Sequence, residues 1–115
     1  MFSKKNIGFL YIIKEANGTS GWYKVGKTVD LERRLREYNS SFPNDRMSFI
    51  FVSERIYNLN EAEKELIDYL SSIKRLHKSR NEWFRADRSG TPIYVMAIRK
   101  IKKIENKYFH GDIDD

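Results

Sequence analysis

The sequence contains no cysteine, and only two prolines and two histidines among its 115 residues. The absence of cysteine excludes disulfide bonds and thiolate metal sites, and His77 and His110 form no cluster of metal ligands in the sequence. No apolar run approaches the roughly 18 residues that a membrane-spanning helix needs. The apolar stretch near the N-terminus is too short and wrongly ordered for a signal peptide. We therefore expect an intracellular protein of the cytoplasm or nucleus that is not secreted and has no membrane partner.

Positive charge exceeds negative charge in this chain. Lysine and arginine total 22 against 16 aspartates and glutamates, which gives a formal net charge of +6. A small basic domain favours a polyanionic partner, and nucleic acid is the first candidate. The length and the 40% hydrophobic content suit a single domain, which we place at residues 1–110, followed by an acidic tail at 111–115.

Three apolar segments predict β-strands: "GFLYIIK" (8–14), "WYKVG" (22–26) and "MSFIFVS" (47–53). The Asn17-Gly18 pair between the first two is a strong turn signal, so these strands should form an antiparallel hairpin. Helical patterns predict helices at 31–38 and 60–73, and Thr91-Pro92 should open a third helix. This order predicts an α/β domain of the α+β type, with a small three-stranded antiparallel sheet flanked by helices on both faces.

The first predicted helix contains two adjacent arginines that point in different directions. Leu31, Leu35 and Tyr38 are spaced at i, i+4 and i+7 and define the buried stripe. Arg34 lies beside this stripe, whereas Arg33 points about 160° away from Leu31. A guanidinium near a core is costly unless an anion compensates it, either a carboxylate or a bound phosphate. We therefore interpret Arg33 as a surface charge and Arg34 as a candidate site residue.

The second predicted helix carries a carboxylate in a similar position. Glu63 stands three, four and seven residues before Leu66, Ile67 and Leu70, on a face that otherwise buries apolar side chains. Two interpretations of Glu63 and Arg34 stay open. Either they form a structural salt bridge with each other, or they line a site for an anionic substrate.

Lys24 and two tyrosines add polar groups to the hairpin and the first helix. Strand alternation places Lys24 on one face together with Trp22 and Gly26. A lysine close to a tyrosine hydroxyl lowers the pKa of that phenol, so Lys24 is a candidate to activate Tyr11. The alternative is that Lys24 extends to solvent from an edge strand, and that Tyr11 and Tyr38 are core aromatics.

Two basic segments, "KRLHKSR" (74–80) and "RKIKK" (99–103), are candidates for phosphate contacts. Both are also compatible with an ordinary solvated surface. The candidate nucleic-acid-binding residues are Lys27, Lys74, Arg75, Lys78, Arg80, Arg99 and Lys102. Contacts of this kind give affinity without sequence selectivity.

The order and spacing of these motifs resemble the GIY-YIG nuclease superfamily, in a small variant of the kind found in phages and viruses. "GFLYII" resembles the first family motif and places its tyrosine at Tyr11, and "KVG" (24–26) takes the place of the second motif. By this resemblance the family's catalytic arginine is Arg34, the His or Tyr that often follows it is Tyr38, and the metal-binding glutamate is Glu63.

Some positions depart from the family pattern. Phe9 stands where the name-giving glycine belongs, and Lys24 replaces the tyrosine of the second motif, which is similar to what some family members carry. "NEWF" (81–84) resembles a signature that follows the glutamate in this variant, with no role assigned to Glu82. The family's late asparagine has no clear counterpart in this sequence.

The resemblance implies a metal-dependent endonuclease that hydrolyses phosphodiester bonds of DNA with one Mg²⁺ or Mn²⁺ ion. Glu63 would bind the ion, Arg34 would stabilise the phosphate, and Tyr11 or Tyr38 would accept a proton from water. A partner protein or a homo-oligomer would supply specificity, since no separate specificity domain is recognisable. Two alternatives stay open: a nucleic-acid-binding module of the same fold without turnover, and a structural or interaction domain in which Arg34 pairs with Glu63.

Overall fold

The computed structural model describes residues 6–15, 22–41, 47–73, 76–78, 83–86 and 93–109. Within these ranges the elements follow the order β1 (Phe9–Glu15), β2 (Trp22–Thr28), α1 (Leu31–Ser41), β3 (Met47–Val52), α2 (Leu59–Ser71), β4 (Leu76–Lys78), β5 (Trp83–Ala86) and α3 (Ile93–Tyr108). The strands form one sheet with the order β3-β1-β2-β5-β4, and every neighbouring pair is antiparallel.

The predicted α+β class is confirmed, but the prediction of a three-stranded sheet is wrong, because the described residues form five strands. β4 has three residues and β5 has four, too few to give a recognisable strand pattern in the sequence. β5 forms against the edge of β2, where Phe84 lies opposite Tyr23, and β4 then pairs with β5. The unpaired backbone groups at the edge of β2 favour this addition, which no local pattern reveals.

The first helix begins where the sequence predicts because Asp30 caps it. The backbone N–H of Arg33 donates to Oδ1 of Asp30 at 3.0 Å, which satisfies one of the free donors at the helix start. The helix continues to Ser41, beyond the predicted end at Tyr38. The other predicted helices are present as α2 and α3. The predicted turn at 17–18, the Pro92 helix start and the acidic tail lie outside the described residues.

Helices cover both faces of the sheet, as predicted. On one face Tyr11, Ile13 and Met47 are buried against Leu35 and Tyr38 of α1. On the other face a larger core joins the sheet to α2 and α3, and its buried residues are Leu10, Ile12, Val25, Ile56, Leu59, Ala62, Leu66, Leu70, Phe84, Ala97, Ile101 and Ile104. Each fully buried aliphatic side chain contributes roughly 1.5–3 kcal/mol, so the larger core dominates the hydrophobic stabilisation. None of the described helices is both long and apolar enough to cross a membrane.

Candidate active site

The side chain of Tyr11 lies at the centre of the candidate site. It belongs to the interior strand β1, is only 2% exposed and packs on the face that α1 covers. Its hydroxyl lies 2.8 Å from the hydroxyl of Tyr38 in α1, a normal hydrogen-bond distance. The ring also makes edge contacts with the rings of Tyr38 and Phe49, whose centroids are 6.2 and 5.1 Å away. Packing therefore holds the phenol of Tyr11 beside a second phenol.

Gly26 makes room for this phenol. In the antiparallel pair of β1 and β2, Tyr11 lies directly opposite Gly26. A Cβ atom at position 26 would lie 2.4 Å from the Tyr11 hydroxyl oxygen and 2.6 Å from the ring carbon Cζ. Only glycine lets the ring of Tyr11 lie so close to β2, which explains the glycine of the "KVG" motif in physical terms.

We expect Gly26→Ala to destabilise the fold by about 1–3 kcal/mol, because the added methyl group must displace a tightly packed ring. Urea unfolding followed by circular dichroism measures this change in the free energy of unfolding. In a Tyr11→Leu background the ring is absent, so the same alanine should cost much less. An equal cost in both backgrounds would mean that the Tyr11 ring is not the obstacle.

The two adjacent arginines of α1, Arg33 and Arg34, differ as predicted. Arg33 is exposed, whereas Arg34 is partly buried and acts electrostatically on Tyr11. Nη1 of Arg34 lies 3.6 Å from Oε1 of the exposed Glu37, but its Nε atom is buried and has no hydrogen-bond partner. A buried donor without a partner is costly. Because the Arg34 side chain is still 39% exposed, an anionic ligand has access to this guanidinium.

Glu63 of α2 pairs with Lys27 of β2. Nζ of Lys27 donates to Oε1 of Glu63 at 3.0 Å, and the two side chains are 35% and 23% exposed. Among the described ion pairs Arg34 contacts Glu37, so the interpretation of Arg34 and Glu63 as a buried salt bridge is wrong. The reason is the layering. Each charge meets a closer partner on its own side of the sheet, Glu37 within α1 and Lys27 on the strand that α2 covers.

Arg34 and Glu63 nevertheless both act on the hydroxyl of Tyr11. Burial is the main cause that raises the pKa of Tyr11 well above its ordinary value, and the hydrogen bond with Tyr38 raises it further. Arg34 lowers this pKa and Glu63 raises it. The expectation that the pKa of Tyr11 is lowered by Lys24 is therefore wrong for the protein alone. Burial of the phenol raises this pKa by more than the positive charge of Arg34 lowers it.

The two lysines of β2 lie on opposite faces of the sheet. Lys24 is directly opposite Ile13, which places it on the face that α1 covers, and Gly26, opposite Tyr11, shares this face with it, as strand alternation predicts. Lys27 is opposite Leu10, a residue of the core under α2, and reaches the helix at Glu63. Sequence reasoning assigned Lys27 to phosphate contacts and missed this pairing. The available signal was its odd spacing from Lys24, since a three-residue step along a strand reverses the face.

A divalent ion at this site would rely on a single carboxylate. In the described part of the chain, no three Asp, Glu, His or Cys side chains are grouped so that they could hold a metal. Mg²⁺ often binds through only one or two carboxylates, completed by water and by substrate phosphates, and the partly exposed Glu63 fits that mode. Lys27 contacts Oε1, so an ion that binds this carboxylate competes with the ammonium group for its negative charge.

The residues predicted to contact phosphates do not lie beside the Tyr11 site where the structure describes their side chains on α3. Arg99 and Lys102 are exposed on α3, in the layer opposite the face of Tyr11. Lys78 lies in β4, where only its backbone is described. Four other residues singled out in the sequence lie outside the described residues: Lys74, Arg75, Arg80 and Glu82. The two tyrosines are thus within hydrogen-bond distance of each other, Arg34 and Glu63 act electrostatically on the Tyr11 hydroxyl, and the basic residues of α3 lie elsewhere.

The chain matches the family model of the T5orf172 domain over residues 8–108. T5orf172 is a phage-associated domain related to nucleases of the GIY-YIG and HNH-like types. Comparison with curated proteins and with solved structures gives no match. The matched range contains the whole candidate site, from Tyr11 to Glu63, and all of α3.

Proposed function

Because the chain belongs to the T5orf172 domain family, we propose that it is a metal-dependent endonuclease of the GIY-YIG type that hydrolyses phosphodiester bonds of DNA. Membership of the family supports a nuclease-like, nucleic-acid-binding domain. The observation that carries the proposal is the convergence on the Tyr11 hydroxyl. Tyr38 lies within hydrogen-bond distance of it, and the charges of Arg34 and Glu63 both act on it. Metal-dependent phosphodiester hydrolysis uses a proton acceptor, a cation for the phosphate and an acidic ligand for the metal.

Arg34 is the residue that we assign to the scissile phosphate. Negative charge builds on the phosphate oxygens in the transition state, and a planar guanidinium donates to two of them at once. The side chain of Arg34 is 39% exposed, so a phosphate has access to its guanidinium, although the Nε atom itself is buried. Its contact with Glu37 is long and exposed, so that ion pair is weak and competes little with a phosphate.

Tyr11 is the residue that we assign to accept a proton from the attacking water. At neutral pH the phenol holds its own proton, since burial raises its pKa. It must therefore lose this proton before it acts, and the positive charge of Arg34 favours that loss. Once Tyr11 is a phenolate, the hydroxyl of Tyr38 at 2.8 Å can donate to it. The symmetry of this contact also allows the two tyrosines to exchange roles.

Glu63 is the residue that we assign to one Mg²⁺ or Mn²⁺ ion, which when bound supplies positive charge to the phosphate and to the departing 3′ oxygen. Lys27, which donates to this carboxylate, would be available to contact a phosphate oxygen if the ion took its place. Because both side chains of this pair are partly exposed, the exchange needs no opening of the core.

A second candidate function is a nucleic-acid-binding module of the same fold without turnover. Two observations favour it: Lys27 neutralises the carboxylate that a metal needs, and the phenol of Tyr11 is strongly protonated. Such a site would bind a phosphate at Arg34 without activating water.

Cleavage of labelled single-stranded, duplex and branched DNA over a range of Mn²⁺ concentrations separates the two functions. We expect cleavage that stops when EDTA removes the ion. Glu63→Gln should raise the Mn²⁺ concentration for half-maximal cleavage by at least about tenfold, because a neutral amide is a weaker ligand for a hard cation than a carboxylate. Glu61→Gln is the matched control, since Glu61 is exposed on the same helix and the substitution removes the same charge.

The outcomes of this experiment are distinct. Binding of the DNA without metal-dependent cleavage would support the binding module. An unchanged Mn²⁺ requirement in Glu63→Gln would remove Glu63 from the metal site, even if the protein is a nuclease.

A further inference from the structure

A groove between α2 and α3 is rich in positive charge. It has a volume of about 360 Å³ and is lined by Tyr69 of α2 and by Arg99, Lys100, Lys102 and Lys103 of α3. We refer to these five residues as the α3 groove. Nζ of Lys100 lies 5.4 Å from the centroid of the Tyr69 ring, a cation–π distance. An aromatic ring and four cations therefore share one surface depression.

Three of these cations are not neutralised. Arg99, Lys102 and Lys103 are exposed, and none of them contacts a carboxylate in the described part of the chain. Lys107, one helical turn further along α3, is by contrast paired with a carboxylate, since its Nζ is 2.5 Å from Oε1 of Glu65. The groove therefore carries net positive charge that invites an external anion.

Helical spacing makes the charges of the groove a continuous stripe. Positions 99, 102 and 103 are related by i, i+3 and i+4, so their side chains lie on one face of α3. The apolar side chains Ala97, Ile101 and Ile104 are buried in the core. A helix that binds a membrane surface needs exposed apolar side chains to insert, and this stripe has none. The chemistry therefore suits the phosphates of a nucleic acid better than a lipid surface.

The α3 groove is separate from the site at Tyr11. Glu63 and Tyr69 are six residues apart on α2, which places them about 120° apart around the helix axis. Glu63 faces Lys27 of β2, whereas Tyr69 faces Lys100 of α3. One flank of α2 thus borders the candidate active site, and the other flank borders the groove.

We propose that the α3 groove binds the phosphate backbone of a nucleic acid at a second place, outside the cleavage site. The stripe contacts successive phosphates, which gives affinity without base readout. Tyr69 lines the groove beside this stripe, with Nζ of Lys100 over its ring. This inference goes beyond the proposed cleavage, because it concerns binding that needs neither a metal nor turnover.

The test compares two variants of equal net charge. Arg99→Gln/Lys103→Gln removes two charges from the groove, and Arg55→Gln/Lys64→Gln removes two charges from exposed positions outside it. The affinity of each full-length protein for a fluorescein-labelled duplex is measured by anisotropy in EDTA at several salt concentrations. For the groove variant, the slope of log K against log salt should become less steep by about 1.8, since each lost phosphate contact with a duplex removes about 0.9. The control variant should keep the wild-type slope.

Every outcome decides the proposal. Equal slopes for the two variants, or a wild-type slope in the groove variant, would overturn it. If the wild type binds phosphatidylserine vesicles but not the duplex, and the groove variant does not bind the vesicles, then the groove is a membrane-binding site instead. Because the assay contains EDTA, a chain that never cleaves DNA can still show the groove effect. Conversely, if the protein cleaves DNA but the groove variant binds the duplex like the wild type, only the proposal for the groove is refuted and the proposed cleavage stands.

Discussion

Replacement of Arg34 by alanine is expected to lower the rate of metal-dependent DNA cleavage by about 10²–10³-fold, the usual loss when one preorganised donor to a developing anion is removed. The physical reason is the positive charge of this partly exposed guanidinium, which acts on the Tyr11 hydroxyl. Its Nε–H is buried without a partner, while the side chain is open enough for a phosphate to approach. Single-turnover cleavage of the labelled duplex in Mn²⁺ measures the rate of the chemical step.

The neighbouring arginine provides the matched control for this experiment. Arg33→Ala removes the same charge from the same helix, but Arg33 is exposed on the other side. We expect it to change the cleavage rate by less than about threefold, as is typical of a rim charge whose effect is screened by salt. Arg34→Ala should also unfold at nearly the wild-type temperature, because its i, i+3 contact with Glu37 is worth only a few tenths of a kcal/mol. Loss of stability with full activity would identify Arg34 as a structural residue.

Tyr11→Phe is expected to lower kcat/KM by about 10²–10⁴-fold, the range that general base catalysis contributes. The substitution removes only the hydroxyl oxygen and keeps the ring that packs against Phe49. The variant should therefore fold normally. Tyr57→Phe, which removes a hydroxyl near Lys107 on the other layer, should leave kcat/KM unchanged.

The pH dependence distinguishes a catalytic Tyr11 from a merely structural one. The phenol must be deprotonated to accept a proton, and burial raises its pKa above the ordinary value near about 10. Below that pKa the deprotonated fraction rises tenfold per pH unit, so kcat/KM of the wild type should increase with unit logarithmic slope from neutral pH to about pH 10. In Tyr11→Phe this slope should disappear.

The same measurement on Tyr38→Phe shows which of the two tyrosines accepts the proton. If Tyr38 is the proton acceptor, then Tyr38→Phe will lose the slope and Tyr11→Phe will keep it. If both variants keep the wild-type slope and rate, neither tyrosine acts as the base, and the central assignment of the mechanism is wrong.

Local periodicity was enough to separate the arginines and to select Glu63. On a helix the direction of a side chain follows from its spacing to the apolar residues, so Arg33 could be assigned to solvent and Arg34 to the site without knowledge of the fold. The same argument placed Glu63 apart from the exposed Glu61 on α2. Strand alternation likewise placed Lys24 on one face with Gly26, whereas only the register of the two strands shows that this is the face of Ile13.

The partners of these residues could not be predicted in the same way. Lys27 and Glu63 are 36 residues apart, and their contact depends on how α2 packs on the sheet. One of the two open interpretations paired Glu63 with Arg34 because both lie on inward faces, but an inward face does not reveal which layer a helix joins. The pKa of Tyr11 was misjudged for the same reason, since a sequence pattern shows a neighbouring lysine but not the depth of burial.

By itself the sequence determined the types of the first three strands and of the helices, the start of α1 after Asp30 and the inward direction of Arg34 and Glu63, because each of these depends on residues within a turn or two of one another. Only the tertiary structure decided that β4 and β5 extend the sheet, that Gly26 lies under the Tyr11 ring and that Lys27 neutralises Glu63. These features arise from pairing and packing between segments far apart in the chain, where the free energy of contact depends on three-dimensional position and not on local spacing.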